Sequence, residues 1–286
     1  MKLPGVKIFT KEEVRRKLGE IKDRGWIELT KHRQAKDGGI GNNLEDLIGI
    51  QENNLQIADL GIYELKTHRK ESDSLISLKR QEPGPGKRNA LVPKLVENYG
   101  WDFPNCDDYN EKGRCKHLKE GGHGRCYPPG EKSLRIDMDG KNYSERGFKI
   151  VINRECKRII IDFNPNKVKL PDHQNWLANV TKNVGEGYLD TRHHWPFNKI
   201  ESALNKKMKN MVYVIVDEKE ENGRHFFKIV DAFFLEDFNF NNLLEAIENG
   251  DVQIEFNART HHNHGTAFRT WERNWTKFYD KKESVF

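Results

Sequence analysis

The chain has 286 residues with 33% charged and 35% hydrophobic, enough for one large domain or two lobes with adequate cores. No apolar run approaches the roughly 18 residues of a membrane span, and the start MKLPGVKIFTKEEVRRK lacks the apolar region of a secretory signal, so a cytoplasmic protein is expected. The net charge of +5 allows one basic face, which suits a DNA cleft without requiring one.

In chain order, Thr10-Lys11-Glu12-Glu13 has capping-box spacing, and Val14, Leu18 and Ile21 then recur on one helical face before a stop at Gly25. A flexible loop at 36–41 leads to Asn42 and Asn43, expected to cap a second helix. Its buried stripe is Leu44, Leu47 and Ile48, which leaves Glu45 on the flank. The run LGIYELKTHR at 60–69 reads as a strand, where alternation puts Glu64 and Lys66 on one side and Leu65 in the core. Asp59 stands before Gly61, where a bend can swing it beside Glu64. Two carboxylates at one point suit a hard divalent cation such as Mg²⁺. A lysine beside them can orient or deprotonate a water, and together these groups can cut a phosphodiester.

Glu-x-Lys by itself is a weak signal in so charged a chain. It recurs at Glu20/Lys22 and Glu155/Lys157, and an exposed Glu/Lys stripe on a half-buried strand is the plain alternative. Only the copy at 64–66 has an aspartate close upstream, an apolar setting (Leu60, Ile62, Tyr63, Leu65) and a preceding helix with a spare carboxylate, Glu45 or its neighbour Asp46.

Residues 75–78 read as the next strand, and EPGPGKR at 82–88 as a basic, turn-rich loop that touches a phosphate backbone or is simply solvated. Residues from about 101 to 132 read as an insertion rich in Gly, Cys and charge. Within it, Cys106, Cys115 and Cys126 with His117 or His123 could supply four zinc ligands. No Cys-x-x-Cys pair is present, so reduced cysteines in a loop are the alternative, and disulfides are not expected in a reducing compartment. Cys156 lies in another element.

Farther on, 148–152 and 158–163 read as a hairpin joined near 154–157, with Pro165 and Pro171 marking its exit. Residues 172–195 form a polar segment carrying aromatics, and 200–208 a basic helix. Strands at 211–216 and 225–230 flank Asn222-Gly223, a strong hairpin signal, and a helix at 240–247 ends at Asn249-Gly250. In 251–259, Val252, Ile254, Phe256 and Ala258 face one side while Gln253, Glu255, Asn257 and Arg259 face the other. A loop with His261, His262, His264 and Arg269 follows. Arginine and histidine can donate to guanine O6 and N7; an exposed polar face, or a structural metal on two histidines, remains open. Trp271, Trp275 and Phe278 recur at helical spacing as a packing stripe.

The stretch 41–69 resembles the active-site region of the MvaI/BcnI restriction endonucleases, relatives of the mismatch-repair nickase MutH among PD-(D/E)xK nucleases. The stretch 251–269 is similar to the recognition element of the same enzymes. The resemblance implies an α+β or α/β fold: a mixed-sheet, MutH-like core with a second, DNA-recognition lobe, forming a cleft around double-stranded DNA. The catalytic lobe would span 1–170, including the insertion, and the recognition lobe 171–286. By position it assigns Glu45 to the helix carboxylate, Asp59 and Glu64 to Mg²⁺ and Lys66 to the attacking water. His262, His264 and Arg269 would contact bases, with Asn257 and Arg259 nearby; the loop before His262 is shorter here. It further implies a type II enzyme acting as a monomer at a short CC-N-GG-type site, accompanied by a DNA methyltransferase that is not a binding partner. The alternatives are a MutH-like nickase needing an activating partner and a non-catalytic, zinc-stabilised DNA-binding module. A zinc hydrolase built on His262 and His264 lacks a carboxylate at helical spacing beside them.

Overall fold

The computed structural model describes residues 8–30, 38–50, 58–84, 91–102, 130–185 and 193–286. Its helices are α1 (Lys11–Asp23), α2 (Gly39–Ile48), α3 (Leu91–Tyr99), α4 (Gln174–Val184), α5 (Phe197–Met208) and α6 (Phe240–Glu248). The first strands are β1 (Ile27–Glu28), β2 (Glu64–Arg69), β3 (Leu75–Arg80), β4 (Trp101–Asp102), β5 (Lys132–Met138), β6 (Arg146–Asn153) and β7 (Arg158–Val168). The remainder are β8 (His194–Pro196), β9 (Asn210–Glu221), β10 (Arg224–Phe238), β11 (Val252–Arg259), β12 (His262–Trp271) and β13 (Tyr279–Ser284).

Contacts divide the chain into two compact units, one of residues 1–76, 201–244 and 270–286, the other of 77–200 and 245–269. Sequence order places a boundary at 170. The contacts divide the chain otherwise, because β9 joins the same sheet as β2 from far beyond that point.

In the first unit the sheet order is β1-β10-β9-β2, with β13 also paired to β10. β2 runs parallel to β9, from Glu64↔Met211 to Arg69↔Val216, whereas β1, β9 and β13 pair with β10 antiparallel, so the sheet is mixed. Asn222 and Gly223, at φ 52° and 71°, make the two-residue turn from β9 to β10 that their sequence favours. One face buries Leu65, Val212, Val214 and Val216 with Val14, Leu18 and Ile21 of α1 and Ile40, Leu44 and Ile48 of α2. Alternation along β2 therefore turns Glu64, Lys66 and His68 to the opposite face. α1 has the expected reciprocal cap: Glu13 N donates to Thr10 Oγ1 at 3.2 Å, and Thr10 N to Glu13 Oε2 at 2.9 Å.

The start of α2 differs from expectation. It begins at Gly39 behind a left-handed Gly38 with no side-chain cap, and buried Asn43 instead accepts from Thr30 N at 3.1 Å. The consecutive glycines let the chain turn in without a polar cap. Gly41 then allows close approach to β2, since a Cβ there would lie 3.3 Å from Thr67 Oγ1. Leu44 is 0% exposed, so Leu44→Ala should lower stability by about 2–5 kcal/mol in urea unfolding. A change within experimental error would contradict this packing of α2.

The second unit contains the sheet β3-β12-β11-β5-β4 and the three-stranded sheet β6-β7-β8. Phe148 and Phe163 pack at 4.9 Å between centroids, with Tyr99 and Trp176 against them, and Trp176 Nε1 donates to Tyr99 O at 2.9 Å. One sequence expectation gains detail and two are corrected. The polar segment 172–195 includes α4, whose Trp176 and Val180, four apart, form a short buried stripe. Pro165 lies inside β7 rather than after it; the β6–β7 register shifts between Arg146 and Phe148, so no ladder bond is lost there. The histidine loop is strand β12, entered through His261 at φ 61°. Of the aromatic stripe beyond it, Trp275 and Phe278 are buried on a 3₁₀ turn, while Trp271 ends β12.

Candidate active site

β2 is the edge strand of the first unit's sheet, so its outer amides need partners supplied locally. The turn before it supplies one. Gly61 N donates to Ala58 O and Leu60 N to Tyr63 O, both at 2.9 Å, and Gly61 adopts φ 89°. This turn brings Asp59 back along the strand, where Oδ2 accepts from Leu65 N at 3.2 Å. Asp59 is thereby anchored next to Glu64.

Glu64 is 3% exposed, and its Oε1 accepts from Lys66 Nζ at 2.7 Å. Its buried Oε2 has no hydrogen-bond partner among the described residues. A buried carboxylate oxygen left unmatched is costly, on the order of 1–3 kcal/mol or more, and such atoms in native structures ask for a role. Burial holds the Glu64 carboxyl above the usual carboxylate range; Lys66 and Lys207 oppose this, and Asp59 adds to it. Burial likewise raises Glu45 on α2, with Asp59 and Glu64 adding to the shift and Lys66 opposing it. Three carboxylates thus burden one another electrostatically, and a cation relieves that burden.

Among the described residues, no three His, Cys, Asp or Glu side chains form a ready-made metal cage. Asp59 and Glu64 still fit a hard divalent cation. Mg²⁺ takes one or two protein carboxylates and completes its shell with waters and substrate phosphate, and Glu64 Oε2 is a buried acceptor lacking a partner among the described residues.

Sequence reasoning missed the surroundings of this edge. Lys207 Nζ, at the end of α5, lies 3.9 Å from Glu64 Oε1. Tyr279 Oη donates to Met208 O at 2.8 Å, and burial followed by the Glu64 charge raises its pKa. His68, on the same strand face as Lys66, holds Glu272 Oε2 at 2.8 Å through Nδ1 and stacks on Tyr213, whose Oη donates to Glu272 O at 3.0 Å. Only the Glu64/Lys66/His68 alternation could have flagged His68 beforehand; nothing marks Lys207 among its neighbours.

In the second unit the polar face of β11 is as expected, with Gln253, Glu255, Asn257 and Arg259 partly exposed and the alternate residues buried. Glu255 lies opposite Asp137 of β5, and Asn257 opposite Arg135. Arg269 Nη1 pairs with Glu255 and Arg259 Nη1 with Glu131, both at 2.7 Å. Burial, then Glu255, raises the Asp137 carboxyl, against Arg269 and Arg135. His262 and His264 are exposed, 4.1 Å apart by ring centroids, with no third His, Cys, Asp or Glu placed to complete a metal site among the described residues. Thr266 N and Oγ1 both donate to Glu82, at 3.0 and 2.9 Å, which pins the strand beyond the histidines. Cys106, Cys115, His117, His123 and Cys126 lie outside the described residues.

A mixed sheet whose edge strand carries Glu-x-Lys beside a turn-borne aspartate, with a flanking helix on the apolar face, has the restriction-endonuclease-like architecture. The family model of the MvaI/BcnI restriction endonucleases matches residues 15–279, and the chain belongs to that family of site-specific deoxyribonucleases. Its fold is similar to that of restriction endonuclease MvaI in a complex with cognate DNA substrate: TM-score 0.65, 20% identity, covering 96% of this chain and 98% of that one. It is also similar to MvaI in the absence of DNA: TM-score 0.55, 21% identity, covering 97% and 100%. No curated protein matches the chain in sequence. No helix among the described residues is long and apolar enough to cross a membrane.

Proposed function

We propose that the protein is a Mg²⁺-dependent type II restriction endonuclease, acting as a monomer on double-stranded DNA at a short CC-N-GG-type site. The observation that carries the chemistry is Glu64: one oxygen holds Lys66 at 2.7 Å and the other, buried beside anchored Asp59, has no hydrogen-bond partner among the described residues. Membership of a restriction endonuclease family supports the substrate class.

In this mechanism Asp59 and Glu64 hold the cation, which when bound offsets charge developing on the scissile phosphate oxygens. Lys66 leaves Glu64 Oε1, orients the attacking water and favours its deprotonation. Glu45 supports the metal's surroundings from α2 or holds neighbouring groups, its carboxyl raised above the usual range by burial and by the charge of Asp59. In the second unit, Arg269, His262 and His264 read base edges of the major groove, with Asn257 and Arg259 beside them. The units containing Glu64 and Arg269 serve as the catalytic and recognition parts respectively.

The test is incubation of purified protein with plasmid and Mg²⁺, followed by sequencing of the ends. Discrete double-strand fragments sharing a CC-N-GG-type site are expected. Nicks dependent on an added partner would favour a MutH-like repair enzyme, and retarded bands without hydrolysis under any divalent ion would favour a binding module.

A further inference from the structure

α5 ends against the site. Met208 O accepts from the buried Tyr279 hydroxyl at 2.8 Å, fixing the last turn of the helix. Three residues on, Met211 pairs with Glu64 across the parallel ladder. This geometry directs Lys207, whose side chain is 48% exposed, at Glu64 Oε1, but the 3.9 Å separation is too long for a hydrogen bond. Lys66 already occupies that oxygen at 2.7 Å. Lys207 is therefore held near Glu64 by charge alone, with its ammonium donors still free of Glu64 and open to solvent. A divalent cation on Asp59 and Glu64 would cancel the attraction that holds Lys207 and repel it. An anion beside the cation would then become the natural partner of this ammonium.

We infer that Lys207 is a DNA-contacting residue of the active site, binding a non-bridging phosphate oxygen of the backbone next to the bond that is cut. The inference rests on the proposed role of Glu64 as a metal ligand. It adds a second lysine with a separate role, so that Lys66 serves the water and Lys207 the phosphodiester backbone. Lys206, exposed on the same turn, provides a matched control, because it carries the same charge without approaching Glu64 among the described ion pairs.

The test is the salt dependence of DNA binding by the full-length protein in a Lys66→Ala background with Mg²⁺. Lys207→Ala should reduce the slope of log K against log[salt] by about 0.9, the loss of one phosphate contact. Lys207→Arg should retain the slope, and Lys206→Ala should leave it unchanged. Unchanged thermal unfolding in Lys207→Ala would establish that the exposed substitution leaves the fold intact. Superimposed slopes for Lys207→Ala and its parent, or an equal fall with Lys206→Ala, would overturn the inference. Cutting by the Lys66→Ala parent, visible in the same samples, would instead count against the proposed role of Lys66. Repeating the titration with Ca²⁺ in place of Mg²⁺ supplies the same cationic charge at Glu64 and keeps the slope measurable in that event.

Discussion

Glu64→Gln should abolish DNA cleavage while making the protein more stable. The substitution keeps the shape of the side chain but removes the charge that would hold the cation, so the rate should fall by more than ~10³-fold, given the several kcal/mol a metal contributes to such transition states. Stability should move the other way. Burial raises the proton affinity of Glu64 in the folded state above the ordinary glutamate value of 4.5. Between that value and the folded pKa, the native chain holds more protons than the unfolded chain. Stability therefore declines as pH rises through this interval, and above the folded pKa the penalty is fully present. Glutamine removes it, and Lys66, at 40% side-chain exposure, remains solvated without its partner. A gain of about 0.5–2 kcal/mol at pH 7 is expected, as when other functional sites are relieved of their burden. Mg²⁺ should raise the melting temperature of the parent but not of the variant. Full cleavage by Glu64→Gln, or a loss of stability at neutral pH, would contradict this account of the buried carboxylate.

Arg269→Ala should relax sequence discrimination with the chemistry intact. A bidentate arginine–guanine pair contributes about 1–3 kcal/mol of discrimination, or roughly 5- to 160-fold at one base pair. In the free protein Arg269 is held at 2.7 Å by Glu255, so it is placed on the β11 face before any DNA arrives. The same ion pair creates a competing structural explanation, because alanine would leave Glu255 facing Asp137 without the intervening charge. Lysine separates the two. Arg269→Lys preserves a positive charge beside Glu255 but not the planar fork. Base reading predicts that lysine fails nearly as badly as alanine on cognate DNA; a purely structural role predicts that lysine restores both stability and discrimination.

The parts of this site that are legible in the sequence are those governed by local geometry. Strand alternation puts Glu64 and Lys66 on one face, and Gly61 with Asp59 announces a turn that the structure shows closed by Asp59 itself. The alternation in 252–259 likewise predicts which residues of β11 are buried. Long-range pairing is not legible. Lys207 is one of several lysines between 199 and 209, and it becomes distinct only because β9 runs parallel to β2 and delivers the end of α5 to Glu64. The same nonlocal pairing interleaves the two units along the chain. β12 reads as a loop because Gly265 and two histidines give no strand signature; its pairing with β3 and β11 imposes one. Asparagines 42 and 43 suggest a polar cap for α2 because that residue is common at helix starts, whereas the glycines at 38 and 39 provide the turn without one.

Anomalous diffraction from crystals grown with duplex DNA and Mn²⁺ in place of Mg²⁺ addresses the metal assignment most directly. One peak is expected in the catalytic unit, within about 2.0–2.3 Å of carboxylate oxygens from both Asp59 and Glu64, with the Lys66 ammonium close by. A peak bound elsewhere, or no ordered ion between those two side chains while DNA is in place, would contradict the metal-assisted mechanism.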